Sequence, residues 1–562
     1  MRNTYFSTKK RLFAMFVAIA FIFFVIFLRL GYIQIVWGKK LQTRALEQWT
    51  RDLPVTADRG DITDTNGIVF ASSGTSYTVY VRPNSVSNHS LIAELLSQAL
   101  KLSYQDVYDK VTAKISENTI KRKITVEEAN LIRSYNLEGV YLAADTSREY
   151  VYGDFLSQVL GFVSSDNTGQ SGLEAYYDKY LRGVDGAILT PSDLVGKELE
   201  GESAYYTPPV SGLNVVTTID FRIQRVVENV LDLVMQGHSP KGARCIVVNP
   251  QTGEVLAMSS KPSVDLNNLP RDNIGELMAS TKNMLITDVY EPGSTFKVLT
   301  AAAMLEEYAR GNPKAHSASY VFPNNANFRI VDGSRVKCWT THTSSKHCNQ
   351  NLGDALNNSC NPIFTDIGLS LGKETMYKYL SAFGYGAVSG IDFAGEQAGL
   401  LVAESAVTNG DLARISFGQT IAVTPLQLAM ATSAAVNGGL LMQPYLVKEI
   451  RTQEGELVKK FYPTVRQRAI SEKVSRELAG LLEKVVTNGS GKQAYIEGFK
   501  VGGKTGTAQK YENGHIAVGK YVSSFVGFFP ADNPQYLALM LVDEPTGAHY
   551  GSTVAAPYAK MI

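Results

Sequence analysis

Residues 291–297 read EPGSTFK, and this heptapeptide narrows the fold and the chemistry more than any other stretch of the 562-residue sequence. Ser294 and Lys297 are three positions apart, a spacing that places both side chains on one face of a helix. The Pro292-Gly293 pair before them is typical of a turn that leads into a helix. A serine hydroxyl needs a base to become a nucleophile, and a lysine kept neutral by burial can be that base. The pattern therefore predicts a nucleophilic serine activated by a lysine.

Two shorter elements follow the heptapeptide in a fixed order. Residues 359–361 read SCN, an S-x-N element, and residues 504–507 read KTGT. The S-x-x-K and S-x-N elements are each common by chance, because residues 7–10 also fit S-x-x-K, and residues 116–118 and 165–167 also fit S-x-N. The order S-x-x-K, S-x-N and K-T-G is characteristic of penicillin-binding proteins and serine β-lactamases.

The sequence resembles the class B penicillin-binding proteins, the membrane-anchored peptidoglycan transpeptidases, and among them the sporulation-type SpoVD branch. The resemblance covers nearly the whole chain. Besides the three elements, it is carried by Arg59-Gly60-Asp61, Gly172-Leu173-Glu174, Thr218-Ile219-Asp220, Ser416-Phe417-Gly418-Gln419 and Gly489-Ser490-Gly491-Lys492. The N-terminal half has no E-D-x-x-F run of the class A glycosyltransferase type. We therefore expect a partner to polymerise the glycan, a SEDS-type glycosyltransferase acting with other membrane proteins of wall synthesis.

The resemblance implies a role for each residue of the three elements. Ser294 would be the acyl-ester nucleophile and Lys297 its base. The other implied roles are proton relay to the leaving amine for Ser359, binding of the donor amide for Asn361, electrostatic holding of the Ser359 hydroxyl and substrate for Lys504, and substrate-carboxylate binding around Thr505, Gly506 and Thr507. The backbone N–H groups of Ser294 and Thr507 would form an oxyanion hole, typically worth ~3–4 kcal/mol of barrier. An amine of a neighbouring stem peptide would resolve the ester into a cross-link, and β-lactams would acylate the same serine.

The N-terminus carries one strongly apolar segment. Residues 12–28 contain no charge, and with the residues up to 36 the segment exceeds the ~20 needed to cross a bilayer. A core helix would show a polar stripe, and a cleaved signal peptide would show a small-residue cleavage site, so an uncleaved anchor is predicted. Four basic residues precede the apolar run and four follow it, so charge does not decide the orientation. Because peptidoglycan lies outside the cell, the family resemblance implies a cytoplasmic N-terminal tail.

The pattern of elements predicts an α+β fold in which one antiparallel sheet is closed by distant parts of the chain. Hairpins are expected around the turns at 64–67 and 249–253, a strand leading into a helix over 214–235, and helices over 90–137. The predicted organisation is a cytoplasmic tail (1–11), a transmembrane anchor (12–36), a mixed α/β pedestal of the dimerisation type (37–212, with a stalk at its start and a polar joint at its end), and a penicillin-binding transpeptidase domain whose central antiparallel sheet is flanked by helices (213–562). The last residues resemble the start of the family's final helix, so a longer C-terminus is expected.

The amino-acid composition restricts the classes of binding partner that are expected for this chain. The chain has 54 Lys and Arg against 53 Asp and Glu, a net charge of +1 that argues against nucleic-acid binding. A hydrophobic content of 44% indicates a packed core, and four cysteines are too few for a disulfide scaffold. The expected partners are peptidoglycan stem peptides, β-lactams and the membrane.

Three of the four cysteines fall close together around the S-x-N element. Cys338, Cys348 and Cys360 lie within 23 residues, with His342 and His347 between them. One interpretation is a structural zinc site with Cys338, His347 and Cys360 as ligands and Cys348 or His342 as the fourth. A redox-sensitive disulfide is implied by the sporulation-type resemblance, and three unlinked thiols are the third possibility. The acyl transfer itself requires no cofactor.

Two rival functions remain open on the sequence. The first is a DD-carboxypeptidase or β-lactamase-like hydrolase, in which water resolves the acyl-enzyme. The second is a non-enzymatic penicillin sensor or scaffold. The pedestal and the lack of a recognisable deacylating glutamate favour a transpeptidase over the first, and the single predicted span argues against a multi-span sensor.

Overall fold

The computed structural model describes residues 2–41, 50–191, 205–323, 326–343, 347–512 and 515–562. Part of the predicted stalk, residues 42–49, and part of the predicted joint, residues 192–204, lie outside the described residues. The chain divides into two compact units. The N-terminal unit comprises Met1–Asp58, Thr75–Thr146 and Val184–Val210, and the C-terminal unit comprises Arg59–Gly74, Ser147–Gly183 and Ser211–Ile562.

The helices and strands are numbered here along the chain. The helices are α1 (Arg2–Val36), α2 (His89–Leu100), α3 (Tyr104–Val111), α4 (Val126–Tyr135), α5 (Ser157–Leu160), α6 (Gly172–Tyr176), α7 (Asp178–Leu181), α8 (Phe221–His238), α9 (Ile274–Ser280), α10 (Met284–Thr287), α11 (Lys297–Ala309), α12 (Leu352–Asn357), α13 (Asn361–Leu371), α14 (Lys373–Ala382), α15 (Asn409–Ile415), α16 (Pro425–Val436), α17 (Glu472–Asn488), α18 (Gly551–Val554) and α19 (Ala556–Ala559). The strands are β1 (Thr50–Val55), β2 (Ile62–Thr63), β3 (Val69–Val81), β4 (Asn118–Ile124), β5 (Val140–Tyr150), β6 (Gly186–Pro191), β7 (Tyr205–Thr207), β8 (Asn214–Thr217), β9 (Gly242–Val248), β10 (Val255–Lys261), β11 (Phe328–Val331), β12 (Ser334–Lys337), β13 (Leu440–Met442), β14 (Val447–Arg451), β15 (Leu457–Lys460), β16 (Val465–Arg468), β17 (Gly502–Glu512), β18 (His515–Phe529) and β19 (Tyr536–Asp543).

Helix α1 contains the predicted anchor. Its segment Lys9–Val36 has a mean hydropathy of 2.7 over its most apolar window, and none of that window is buried against protein. Among the described residues it is the one helix long and apolar enough to cross a membrane. An apolar helix exposed all round is stable in hydrocarbon and unfavourable in water, which fits a membrane anchor.

The prediction that residues 90–137 are helical is wrong at one element. Helices α2, α3 and α4 form there, but β4 (Asn118–Ile124) is a strand between α3 and α4. It pairs antiparallel with β3, with Tyr77 opposite Ile124 and Val81 opposite Asn118. Ile120 and Ile124 are buried in the core of this unit. The cross-strand partner, which lies far away in the sequence, therefore overrides the local helical pattern.

The central sheet of the C-terminal unit is antiparallel and has the order β10-β9-β19-β18-β17. It joins residues 242–261 to residues 502–543, so the predicted closure by distant parts of the chain is confirmed. Successive side chains of β9 point to opposite faces: Cys245 and Val247 pack with α8, and Ile246 and Val248 belong to the large core that includes α11 and α16. The sheet is thus flanked by helices on both faces, as predicted for an α+β fold.

The predicted hairpins and helix starts also form. β2 pairs with the start of β3, and β9 pairs with β10, so both predicted turns are confirmed. Asp220 caps α8 by accepting a hydrogen bond from the Arg222 N–H. The C-terminal unit contains a second sheet with the strand order β15-β14-β8-β2. The start of β3 pairs with β2 and extends this sheet.

A buried ion network ties two of the resemblance motifs together inside the C-terminal unit. The Glu174 carboxylate accepts from Arg59 Nε at 2.5 Å and from Arg148 Nε at 2.6 Å, and all three side chains are at most 1% exposed. Arg59 also binds Asp178 at 2.7 Å and the Glu174 carbonyl at 2.7 Å. The acidic residue of the 172–174 motif is therefore structural, because both of its oxygens are occupied by buried guanidinium groups.

We expect Glu174→Ala to lower the free energy of unfolding by about 3–5 kcal/mol, because it leaves two guanidinium groups buried without their shared carboxylate. Urea unfolding of the purified chain in detergent measures the change. Glu497→Ala, which removes an exposed carboxylate, is the control and should stay within about 0.5 kcal/mol of the wild type. Equal unfolding midpoints for the two variants would show that the network does not stabilise the fold.

Candidate active site

The turn that presents Ser294 is a single 3₁₀ turn, Gly293–Phe296, that leads into α11. Gly293 has a φ of +57°, a left-handed conformation that glycine adopts at no steric cost, and its N–H donates to the Gly418 carbonyl at 2.9 Å. A Cβ on Gly418 would lie 2.1 Å from the Gly293 carbonyl oxygen. The motif at 416–419 therefore supports the turn, and Ser294 is left half-buried at its surface.

Lys297 points from the first turn of α11 into a cluster of oxygens. Its Nζ lies 3.1 Å from Ser294 Oγ, 3.2 Å from Ser359 Oγ and 2.7 Å from Asn361 Oδ1. It also donates to the Ser359 carbonyl at 2.9 Å. The S-x-x-K and S-x-N elements, separated by more than fifty residues in the sequence, thus meet at one amine.

Lys504, the first residue of the third element, reaches the same place from β17. Its Nζ donates to Ser359 Oγ at 3.0 Å and to the Thr505 carbonyl at 3.0 Å. The Ser359 hydroxyl therefore lies between two amines, those of Lys297 and Lys504. All three sequence elements converge on a single constellation, as their order in the chain predicted.

Burial governs the protonation of both lysines. Lys297 is fully buried, and this burial lowers the pKa of its amine to about 8. Lys504 is also fully buried, and burial together with the positive charge of Lys297 lowers its pKa well below the usual value. An amine with a pKa near 8 is neutral in about a tenth of molecules at pH 7, far more than an ordinary lysine, and a general base must be in this neutral form.

The S-x-N turn holds its two polar side chains in a constrained backbone. Ser359 has a φ of +52°, uncommon for a residue with a Cβ, and Cys360 occupies the N-cap position of α13 without a side-chain capping hydrogen bond. Asn361 is held at both ends of its amide, because Oδ1 accepts from Lys297 and Nδ2 donates to the Lys337 carbonyl at 3.0 Å. Residues with such backbone conformations cluster at active sites, where the surrounding structure maintains them.

Strand β17 is an end strand of the central sheet, and the third element lies on it. Gly506 allows the strand to approach the serine turn, because a Cβ there would lie 2.4 Å from Ser524 Oγ and 3.0 Å from Thr295 Cγ2. Thr507 Oγ1 accepts from the Gly551 N–H at 3.0 Å, and the Thr507 residue is half-buried. The carboxylate-binding residues expected from the sequence therefore lie on a strand whose outer edge borders the serine turn.

One polar residue of this region received no role from the sequence. Ser490 Oγ accepts from Thr505 Oγ1 at 3.0 Å. It belongs to the 489–492 motif, which the family resemblance includes. That motif is the sequence signal that could have identified Ser490. It does not show that Ser490 contacts Thr505, because the two residues belong to separate motifs.

The alternative matches to the short motifs lie elsewhere. Residues 7–10 are part of α1, and residues 116–118 run into β4, both in the N-terminal unit. In the match at 165–167, the Asn167 carbonyl accepts from Arg59 at 2.9 Å within the buried ion network. Among the described residues, the S-x-N match at 359–361 is the only one of the three whose residues contact Lys297.

Four of the five cysteine and histidine residues singled out beside the S-x-N element come together. The ligand atoms of Cys338, His342, His347 and Cys360 all lie within 4.8 Å of one another. Cys348 is not part of this group. Of the two residues named as the fourth ligand, the structure thus places His342, not Cys348, beside the other three.

Comparison with known proteins agrees with the constellation. Residues 243–562 match the penicillin binding protein transpeptidase domain, and residues 54–217 match the penicillin-binding protein dimerisation domain. Stage V sporulation protein D of Bacillus subtilis is 40% identical, over 99% of this chain and 85% of that protein. Peptidoglycan D,D-transpeptidase FtsI of Escherichia coli is 27% identical, over 94% of this chain and 86% of that protein. Penicillin Binding Protein 2X from Streptococcus thermophilus has a solved structure with a TM-score of 0.72 and 24% identity, covering 91% of this chain and 80% of that one.

Proposed function

Because this chain belongs to the class B penicillin-binding proteins, we propose that its transpeptidase reaction passes through an acyl ester on Ser294. The chain is a peptidoglycan D,D-transpeptidase of cell-wall synthesis, as its relatives are. The observation that carries the proposal is the short contact of 3.1 Å between Lys297 Nζ and Ser294 Oγ, made by an amine whose pKa is lowered to about 8. That contact provides the nucleophile with a base already in hydrogen-bond range.

The first half-reaction forms the ester. The neutral Lys297 amine accepts the Ser294 hydroxyl proton as Oγ attacks the carbonyl carbon of the penultimate D-Ala of the donor stem peptide. The C–N bond to the terminal D-Ala then breaks, and its nitrogen leaves as an amine. The Ser359 hydroxyl, 3.2 Å from Lys297 Nζ and 3.0 Å from Lys504 Nζ, passes the proton to that amine.

The second half-reaction transfers the acyl group to an amine. The amino group of a neighbouring stem peptide attacks the ester carbonyl carbon, the bond to Ser294 Oγ breaks, and a new amide joins the two peptides. The proton lost by the attacking amine returns through Ser359 and Lys297 to Ser294 Oγ. Both lysines end the cycle in their starting protonation states, so no cofactor is required for the transfer.

The remaining residues of the third element bind the donor peptide. Thr505 and Thr507 hold its terminal carboxylate, and Asn361 holds the donor amide. Gly506 lets the peptide backbone lie along the outer edge of β17. The oxyanion that develops on the carbonyl is stabilised by the backbone N–H groups of Ser294 and Thr507, and such a donor is typically worth about 3–4 kcal/mol of barrier.

The chain is anchored in the membrane through α1, and we place its tail in the cytoplasm and the rest outside, where peptidoglycan lies. A SEDS-type glycosyltransferase is the proposed partner that supplies the glycan strands. The sporulation name of the Bacillus subtilis relative supports a role in spore or septal wall synthesis. A protease added to intact protoplasts should digest nearly all of the chain, and protection of the chain would reverse the orientation.

Transfer to an amine distinguishes this function from hydrolysis. The purified chain is given a peptide ending in D-Ala-D-Ala together with a D-amino acid as acceptor, and the products are separated by mass spectrometry. We expect the exchanged peptide to form in excess over the hydrolysed peptide, and a bound penicillin to persist for hours. Exclusive hydrolysis with release of penicillin within minutes would establish a carboxypeptidase or β-lactamase instead. Absence of both the exchanged and the hydrolysed peptide would leave the sensor or scaffold function.

A further inference from the structure

A groove lined by aromatic rings opens on the surface of the C-terminal unit. Its walls come from residues 176–180 of α6 and α7, from residues 443–445 between β13 and β14, and from residues 459–464 at the end of β15 and in the turn that follows. Its volume is about 640 Å³, within the range of ligand-binding clefts. None of its lining residues belongs to the S-x-x-K, S-x-N or K-T-G element, so the acyl-transfer site does not account for it.

The rings of this aromatic groove form one cluster around Tyr177. The Tyr177 ring centroid lies 5.2 Å from that of Tyr176 and 6.3 Å from that of Tyr180. Phe461 meets the same ring edge-on, at 6.3 Å and 85°. Tyr177 itself is buried, whereas Tyr176 is 46% exposed and Tyr462, from the opposite wall, is 68% exposed. The groove therefore has a packed aromatic floor and tyrosine rings that face solvent at its rim.

A buried carboxylate holds the floor in place. The Tyr177 hydroxyl donates to Asp392 Oδ2 at 2.6 Å. Asp392 also accepts from the backbone N–H groups of Leu446 and Val447, at 2.6 Å and 2.9 Å. These bonds join the segment between α6 and α7 to the start of β14. The groove is thus formed before any ligand binds, which reduces the entropy cost of binding.

Lysines border the aromatic rings. The ammonium groups of Lys179 and Lys459 lie 4.8 Å and 4.7 Å from the centroid of a ring of the groove. Lys460 pairs with Glu449 at 3.3 Å, but Lys179 and Lys459 have no carboxylate partner among the described residues. The carboxylate of Asp392, which also lines the groove, is occupied by its three hydrogen bonds. The groove therefore favours a ligand that carries negative charge next to flat apolar surfaces.

The side chains of the groove are unlike those of a helix-binding site. The described residues that line it include five tyrosines, one phenylalanine and three lysines, and no aliphatic side chain. A groove that takes the apolar face of a helix is hydrophobic throughout. Sugar rings, in contrast, present flat C–H faces to aromatic rings and hydroxyl groups to the tyrosine hydroxyls and lysines at the rim. A charged saccharide polymer fits this lining better than an apolar protein segment does.

We propose that the aromatic groove binds a glycan strand of peptidoglycan, with sugar rings on Tyr176 and Tyr462 and stem-peptide carboxylates at Lys179 and Lys459. The proposal rests on the action of this chain on peptidoglycan, and it adds a second point of attachment to the polymer whose stem peptide reacts at Ser294. Two linked attachments hold a polymer more tightly than either one alone. The groove should therefore matter for glycan strands and have no effect on penicillin or short peptides.

Binding of soluble strands tests the groove. Uncross-linked peptidoglycan strands, with stem peptides or after an amidase has removed the peptides, are labelled with a fluorophore. Their affinity for the full-length chain in detergent is measured by fluorescence anisotropy, with penicillin present to block the acyl-transfer site. We expect Tyr176→Ala/Tyr462→Ala to weaken binding of both forms by about tenfold. Lys179→Ala/Lys459→Ala should weaken binding of the peptide-bearing form alone, because only that form brings carboxylates to the lysines.

The matched controls are Tyr308→Ala and Lys373→Ala, which remove an exposed ring and an exposed amine outside the groove and should bind like the wild type. Penicillin acylation should keep the wild-type rate in every variant, which shows that the fold is intact. Peptide-free strands that fail to bind the wild type, or that bind the tyrosine variant equally well, would overturn the proposal. A polyglutamate peptide that binds more tightly than the strands would establish an acidic protein segment as the ligand instead. The affinity measurement does not depend on acylation, so this proposal and the assignment of Ser294 fail separately.

Discussion

Ser294→Ala is expected to abolish covalent labelling by a fluorescent penicillin and all cross-linking activity. The variant has no oxygen to form the ester, and the 3.1 Å contact to Lys297 Nζ has no acceptor left. No other residue of the described constellation replaces it, because the other hydroxyl that contacts Lys297, that of Ser359, belongs to a buried residue, whereas Ser294 is half-buried. Gel fluorescence after incubation with the labelled penicillin measures the loss.

The control for this experiment is Ser319→Ala, which removes an exposed hydroxyl outside the site and should label like the wild type. Both variants should unfold within about 1 °C to 2 °C of the wild type, since removing a half-buried hydroxyl changes stability little. Labelling of Ser294→Ala at the wild-type rate would show that another residue is the nucleophile.

Lys297→Met should slow acylation by about 10²–10⁴-fold, the usual contribution of a positioned general base. Methionine keeps the length and the apolar stem of lysine and cannot accept a proton, so the change isolates the amine. It also leaves Asn361 Oδ1 and the Ser359 carbonyl without the donor they have now. Stopped-flow measurement of penicillin acylation gives the rate, and Lys373→Ala, which removes an exposed amine on α14, is the control. A loss of less than tenfold in Lys297→Met would assign the base to another group.

The pH dependence of acylation follows from the same amine. Burial lowers the pKa of Lys297 to about 8, so the amine carries a proton below that pH and is neutral above it. Only the neutral form can take the Ser294 proton, and the acylation rate of the wild type should therefore rise about tenfold per pH unit below pH 8 and level off above it. In Lys297→Met this rise should disappear. The same rise in the variant would contradict the role of Lys297.

The order of the three motifs predicted the residues of the site more completely than the local sequence patterns predicted the helices and strands. The S-x-x-K, S-x-N and K-T-G elements contain the residues that meet at the Lys297 amine, because these chemical roles depend on residue type and are visible in the sequence. The sequence singled out Ser490 only as a member of the 489–492 motif. Its contact with Thr505 depends on how α17 packs near β17, which the sequence does not show. The partnership between Arg59 and Glu174 was likewise invisible, because a buried ion pair joins two motifs that are 115 residues apart.

The limits of local pattern are clearest at β4 and at the cysteine cluster. The residues of β4 follow and precede helices, and only their pairing with β3 decides that they form a strand. Around the S-x-N turn, the sequence named Cys348 and His342 equally as the fourth member of the cluster. The path of the loop after β12 brings His342 to Cys360, and a loop path is not encoded in residue spacing.

Peptide mapping of the penicillin adduct tests the central claim most directly. The wild-type chain is acylated with penicillin, digested with protease and analysed by tandem mass spectrometry, which locates the added mass on a single residue. The account predicts an adduct on Ser294, in the peptide that contains residues 291–297. An adduct on Ser359, on one of the cysteines or on any residue outside that peptide would contradict it.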